Sequence, residues 1–192
     1  MRPASYTETM SVKTKSRALV QELEILLWPS EALRRKSAPV VEITDELRDL
    51  ARNMILTMKN APGLGLAAPQ VGLNIRLVVV NPAANDDEDE NSFEEPFAMI
   101  NPVILDSSGE DLDEEGCLSL PGVYVDIPRP ERLTAEYTSI EGKRKTITAH
   151  GVFARCIAHE IDHLDGIVFW DHLTKLKRDW LKLRFKRNLK KA

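Results

Sequence analysis

The chain has little cysteine, no long uncharged run and little net charge. Two cysteines in 192 residues permit at most one intramolecular bridge, which excludes a disulfide-built secreted scaffold. The longest stretch without a charged side chain, Asn60 to Ile75, is too short for a membrane span and carries Pro62, Pro69, Gln70 and three glycines. A formal charge of −4 does not describe a nucleic-acid binder over its whole surface. What is present is ordinary for a globular protein: 43% apolar and 29% charged residues, enough chain for one domain. At this length about 70% of the unfolded surface can be buried, so a core needs no covalent staple.

The small net charge hides an asymmetry. Residues 173–192 hold nine Lys or Arg against Asp179 alone, a local +8, so the remaining 172 residues sum to −12. Seven acids between Asp86 and Glu95 and six between Asp106 and Glu115 carry much of that. Such blocks read as solvated loops, and the first, lying between two apolar runs, reads as a surface insertion. The first twenty residues are rich in Ser, Thr and basic residues but lack an apolar signal core. They read as an extension of a cytosolic protein, with organelle import as the alternative and Met10 as an alternative start.

Thr44 is placed to cap a helix whose first turn holds Asp45 and Glu46. Leu47, Leu50, Ala51, Met54 and Met58 give it one apolar face, and Ala61-Pro62-Gly63 ends it. Strand-like runs follow at Ile75–Val80, Met99–Leu105, Val123–Ile127, Leu133–Ser139 and Lys145–Ala149, the last two flanking a hairpin turn. Val152 to Leu164 reads as a helix closed by Gly166. Lys175 to Asn188 reads as another, with Leu176, Trp180 and Leu183 on its docking stripe. The pattern predicts an α+β fold: short, mostly antiparallel sheets around a central helix, with a helix near the N-terminus and a basic C-terminal one.

His159-Glu160-Ile161-Asp162-His163 carries the chemistry. Positions i and i+4 share a helix face, so both imidazoles can reach one metal ion, and Glu160 beside the first can take a proton from water there. A catalytic site takes a third protein ligand. A metzincin histidine would fall at Phe169, and no Glu follows Glu160 to serve as in thermolysin. His172 fits neither spacing and reads as a surface or capping residue, and His150 reads as a turn residue. Cys117, between the second acidic block and Pro121-Gly122, is the preferred third ligand, because a thiolate coordinates strongly.

Three motifs together resemble the peptide deformylases: Gly63-Leu64-Gly65-Leu66-Ala67-Ala68-Pro69-Gln70, Glu115-Gly116-Cys117-Leu118-Ser119, and the HEIDH run. The resemblance spans roughly Leu23 to Asp171. It implies hydrolysis of the N-formyl group from the formylmethionine of nascent polypeptides, with release of formate. It puts the metal ligands on Cys117, His159 and His163, the general base on Glu160, and oxyanion donors on the Gln70 amide and the Leu118 backbone N–H. It implies Fe(II) as the metal, replaceable by Zn, Ni or Co. Gly65 then lets a peptide backbone approach, and Leu64, Val152 and Cys156 form the methionine slot. Glu115 is expected to orient Gln70 or pair with Arg129, and Asp162 to pair with Arg155. A Cys117–Cys156 disulfide would remove the ligand, which implies a reducing, cytoplasmic setting. The expected organisation is an extension over residues 1–22, a catalytic domain over 23–172 with an acidic insertion near 83–96, and a basic helix over 173–192. That helix reads either as a solvated face or as an electrostatic contact with ribosomal RNA. A metallopeptidase sharing HEIDH, and a binding module without catalysis, are the competing readings.

Overall fold

A computed structural model gives the fold and describes residues 20–82 and 95–189. Most of the expected N-terminal extension and acidic insertion lies outside the described residues. Helix α1 (Asp45–Asn60) begins where the Thr44 side chain accepts a hydrogen bond from Leu47 N at 3.3 Å. Helix α2 (Gly151–Leu164) starts directly after the last strand and turns out at Gly166, whose φ of +74° suits a residue without a side chain. A Cβ there would also meet the Arg34 carbonyl oxygen at 2.6 Å. Helix α3 (Lys175–Leu189) ends the described chain.

Among the described residues, seven strands form two sheets. Strands β1 (Gly65–Ala67), β2 (Leu77–Val80), β3 (Phe97–Ser108), β6 (Arg132–Thr138) and β7 (Arg144–His150) make one antiparallel sheet in the order β1-β2-β3-β6-β7. Strands β4 (Asp111–Glu115) and β5 (Val125–Arg129) pair separately, with Glu115 opposite Val125. The Leu77–Val80 run is apolar at every position because helices cover both faces of the sheet there. Val78 and Val80 pack with Phe153, Ile157 and Ile161 of α2, and Leu77 and Val79 pack with Leu47, Ala51, Met54 and Met58 of α1. A third cluster joins Trp28, Leu33, Leu120, Phe169 and Trp170 to α3. The α+β reading holds, and each expected helix and strand is found with ends shifted by a few residues.

Two expectations are corrected. The second acidic block is strand rather than loop: Asp106 lies in β3 and Asp111–Glu115 is β4, and while Asp106, Glu110, Asp113 and Glu114 stay exposed, Glu115 is buried because its charge is compensated inside the protein. Helix α3 does not dock through Leu176, Trp180 and Leu183, which are 84%, 53% and 64% exposed. It docks through Leu181 and Phe185 on the opposite side, where Phe185 meets Trp28 and Trp170 edge-on with ring centroids 6.1 Å apart in each pair. Apolar residues recur on both sides of this helix, so periodicity alone could not choose between them.

Candidate metal centre

Helix α2 presents its motif to the interior. Ile157, Ile161 and Leu164 lock one side against the sheet, which leaves His159, Glu160 and His163 buried on the side toward the β4–β5 connection. Cys117 enters from just beyond β4. Its Sγ lies 3.2 Å from His163 Nε2, which lies 3.1 Å from His159 Nε2. The three ligand atoms fall within 4.8 Å of one another. A tetrahedral ion with ordinary metal–nitrogen and metal–sulfur bonds separates its ligand atoms by about 3.3–3.6 Å, so the two separations from His163 are within a few tenths of an ångström of ligation geometry. Both cysteines are free thiols.

Protonation supports the fit. Burial and the neighbouring His159 push His163 well below the usual imidazole value, so its lone pair is available. Burial also pushes His159 down, but Cys117 and Glu115 outweigh it and raise the ring well above its usual value. The surroundings of His159 thus favour a cation at that spot. His159 Nδ1 donates to Glu115 Oε1 at 2.6 Å, which turns Nε2 toward Cys117 and His163.

Glu115 is held by Arg129, whose Nε and Nη2 donate to its two oxygens at 2.9 and 2.7 Å, and by Arg155 Nη1 at 3.3 Å. Burial opposes its charge, yet the bonds from Arg129 and His159 prevail and keep the carboxyl well below the usual range. The expected Glu115–Arg129 pair is therefore present. Gln70 is held elsewhere: its Oε1 accepts from Ala67 N at 2.8 Å, and its Nε2 reaches Ser119 Oγ at 3.3 Å and Cys117 Sγ at 3.6 Å. Its amide N–H group thus faces the thiol. The expected Asp162–Arg155 pair is replaced. Asp162 bonds Arg129 and His172, while Arg155 reaches Asp111 at 3.1 Å and Glu115.

Glu160 is 4% exposed, and its Oε2 has no hydrogen-bond partner among the described residues. Burial pushes its carboxyl up to about 7. Gly65 lies against it: a Cβ on Gly65 would stand 2.7 Å from Glu160 Cγ and Cδ. That glycine makes room for the carboxylate, a reason its motif did not disclose. A cavity of about 420 Å³ opens over the cluster, lined by Leu64, Gly65, Leu118, Val152, Cys156 and Glu160 among others. Cys156 is buried at its floor, whereas Leu64 and Val152 are 42% and 40% exposed at its mouth. Tyr124 and Arg155 also line it and were not anticipated. Arg155 had a signal, since a cation on the apolar stripe of α2 needs carboxylates opposite; Tyr124 had none.

A thiol and two imidazoles converging beside a buried, unpartnered carboxylate define a metal-dependent hydrolase. A sequence model of the polypeptide deformylases matches residues 22–179. A peptide deformylase of Rhodopseudomonas palustris is 44% identical over 170 residues, covering 88% of this chain and 95% of that protein. The crystal structure of the Ehrlichia chaffeensis peptide deformylase superposes with a TM-score of 0.81 at 37% identity, covering 88% and 98% of the two chains. Plant peptide deformylase 1B gives 0.77 at 34% identity, covering 88% and 90%. The chain belongs to the polypeptide deformylase family. It is an amide hydrolase that removes the N-formyl group from polypeptides. No helix among the described residues is long and apolar enough to cross a membrane.

Proposed function

We propose that Cys117, His159 and His163 hold one divalent metal ion, natively Fe(II), and that Glu160 is the general base for release of formate from formylmethionyl peptides. The observation that carries this is the buried Glu160 carboxylate, without a protein partner at Oε2, next to three converging ligand atoms. A thiolate with two imidazoles suits iron or zinc on softness, and the choice of iron follows the family. When bound, the ion supplies Lewis acidity that makes water acidic and the formyl carbon electrophilic.

The protein side of the reaction follows from position. A formamide entering the cavity brings its carbonyl between Gln70 Nε2 and the Leu118 backbone N–H, which donate to the oxygen as it gains charge. Loss of one such donor typically costs on the order of 10²–10³ in rate. Glu160 accepts the proton of the attacking water and returns it to the departing amine. A carboxylate pushed up to about 7 is matched to that exchange near neutrality. Leu64, Val152 and Cys156 form the apolar slot for the methionine side chain, and Gly65 leaves the β1 backbone open to the peptide. The Ehrlichia chaffeensis relative was crystallised with actinonin, and we place such an inhibitor in the same cavity here.

Residues 23–172 form the catalytic domain, in the cytoplasm, and the outer face of α3 is an electrostatic contact with ribosomal RNA. Lys175, Lys177, Lys186 and Arg187 lie on that helix with the exposed Trp180. Reversing Lys175, Lys177 and Arg187 to Glu should weaken salt-dependent ribosome co-sedimentation and spare peptide hydrolysis; unchanged co-sedimentation would sink the contact. For the site, protein purified anaerobically should carry about one iron. It should release formate from formyl-Met-Ala-Ser while leaving unformylated Met-Ala-Ser intact. Cys117→Ala and His163→Ala should lose the metal; retention at wild-type occupancy would refute the ligand assignment.

A further inference from the structure

Beyond the ligands lies a chain of polar contacts that reaches the surface, and it ends at a histidine the hydrolytic chemistry does not use. Asp162 Oδ2 accepts two N–H groups, from Arg129 Nη1 and from His172 Nε2, each at 2.6 Å. Asp162 is an acceptor only. His172 therefore carries its proton on Nε2 and donates it to Asp162. The 3.3 Å approach of His172 Nε2 to Arg129 Nη1 is a meeting of two donors on one oxygen.

Arg129 is 5% exposed and turns its other nitrogens onto Glu115, which accepts a hydrogen bond from His159 Nδ1. The order is thus His172, Asp162, Arg129, Glu115, His159. Each link is a charge-assisted bond, and a planar guanidinium transmits orientation because its donors are rigidly coupled. The Asp162 and His172 side chains are 18% and 34% exposed. Without the His172 N–H, Asp162 has one donor left and water on its free side. The guanidinium then loses its fixed anchor opposite Glu115.

We propose that His172 is a positioning residue for the metal centre: it fixes Asp162 and Arg129, and through them the Glu115 carboxylate that orients the His159 ring. This rests on His159 being a ligand. Partners one bond from a metal ligand are typically worth 10–100-fold in metal affinity or activity, and three intervening groups place His172 at the low end.

The test uses the full-length enzyme loaded with Co(II), whose visible spectrum reports ligand geometry. Wild type, His172→Ala and His172→Gln are compared for that spectrum and for the rate of cobalt loss to a chelator. The Gln amide keeps an N–H near the place of Nε2. We expect His172→Ala to lose cobalt about tenfold faster with a shifted spectrum, and His172→Gln to stay within about twofold of wild type with the native spectrum. Native release and spectrum in His172→Ala, even with a lowered Tm, would overturn the proposal. So would a Gln variant as impaired as the Ala variant. Cys117→Ala is the separate arm: if it binds cobalt as wild type does, the ligand assignment fails, not the role of His172.

Discussion

Gly65→Ala isolates the relation between β1 and the Glu160 carboxylate. Gly65 sits in regular pairing with Val80, at a backbone conformation open to any residue, so alanine meets no backbone obstacle. Taken alone, the change would stabilise by about 0.4–1 kcal/mol through the unfolded chain. The new methyl would, however, lie 2.7 Å from Glu160 Cγ and Cδ, where carbon atoms rest at about 3.5–4.0 Å. Helix α2 cannot retreat, because Phe153, Ile157 and Leu164 are packed against the sheet. The Glu160 side chain must therefore swing by about 1 Å, and a misplacement of that size costs on the order of 10² in rate. Overpacking should also cost about 1–3 kcal/mol of stability, outweighing the chain-entropy gain. The three atoms nearest the methyl all belong to Glu160 and none to Cys117, His159 or His163, so bound metal should be unchanged. Steady-state formate release from formyl-Met-Ala-Ser, with metal measured in the same samples, tests this. A kcat within twofold of wild type would refute the reading of Gly65 as the space that seats Glu160.

Other positions give independent outcomes. Glu115→Ala leaves Arg129 buried without its main partner and should cost about 3–5 kcal/mol in denaturant unfolding, together with loss of metal; a change under about 1 kcal/mol would show the cluster to be uncoupled. Phe185→Ala should cost about 3–5 kcal/mol, because the ring is 2% exposed among Trp28 and Trp170, whereas Trp180→Ala on the outer face should stay within about 0.5 kcal/mol; equal effects would contradict the docking face of α3. The Tyr137 hydroxyl is pushed up to about 12 by burial, with Glu141 adding to the effect. The fold prefers its neutral form, so this contribution is whole below about pH 10 and is lost as pH rises through 12, roughly 1–3 kcal/mol in all. Tyr137→Phe should remove that alkaline loss in a stability–pH series, and an unchanged series would exclude Tyr137 as its source.

What was legible in the sequence was local. Thr44, the Leu47–Met58 periodicity and Pro62 mark α1, and the HEIDH spacing with Gly166 marks α2, because capping, helical period and chain termination each act within a few residues. Strand β1 was missed because a three-residue strand that starts at a glycine and runs into Ala68-Pro69 looks like a turn until β2 pairs with it. Strand β4 was missed because acidic residues read as solvated unless their partners are known. Glu115 is buried only because Arg129, 14 positions on, and Arg155, 40 positions on, are brought to it by the fold. His172 was passed over for the same reason, since its meaning depends on Asp162 facing it across a turn. The candidate ligand atoms were within reach because two of the three share one helix and the thiol was a rare residue type.

We propose that Glu160 performs the proton transfers at a metal held by Cys117, His159 and His163. This is tested most directly by formate release from formyl-Met-Ala-Ser, comparing anaerobically purified wild type with Glu160→Ala while bound metal is quantified in both. Release is expected to collapse by several orders of magnitude in the variant at wild-type metal content. A metal-loaded Glu160→Ala that still turns over at a comparable rate would contradict it.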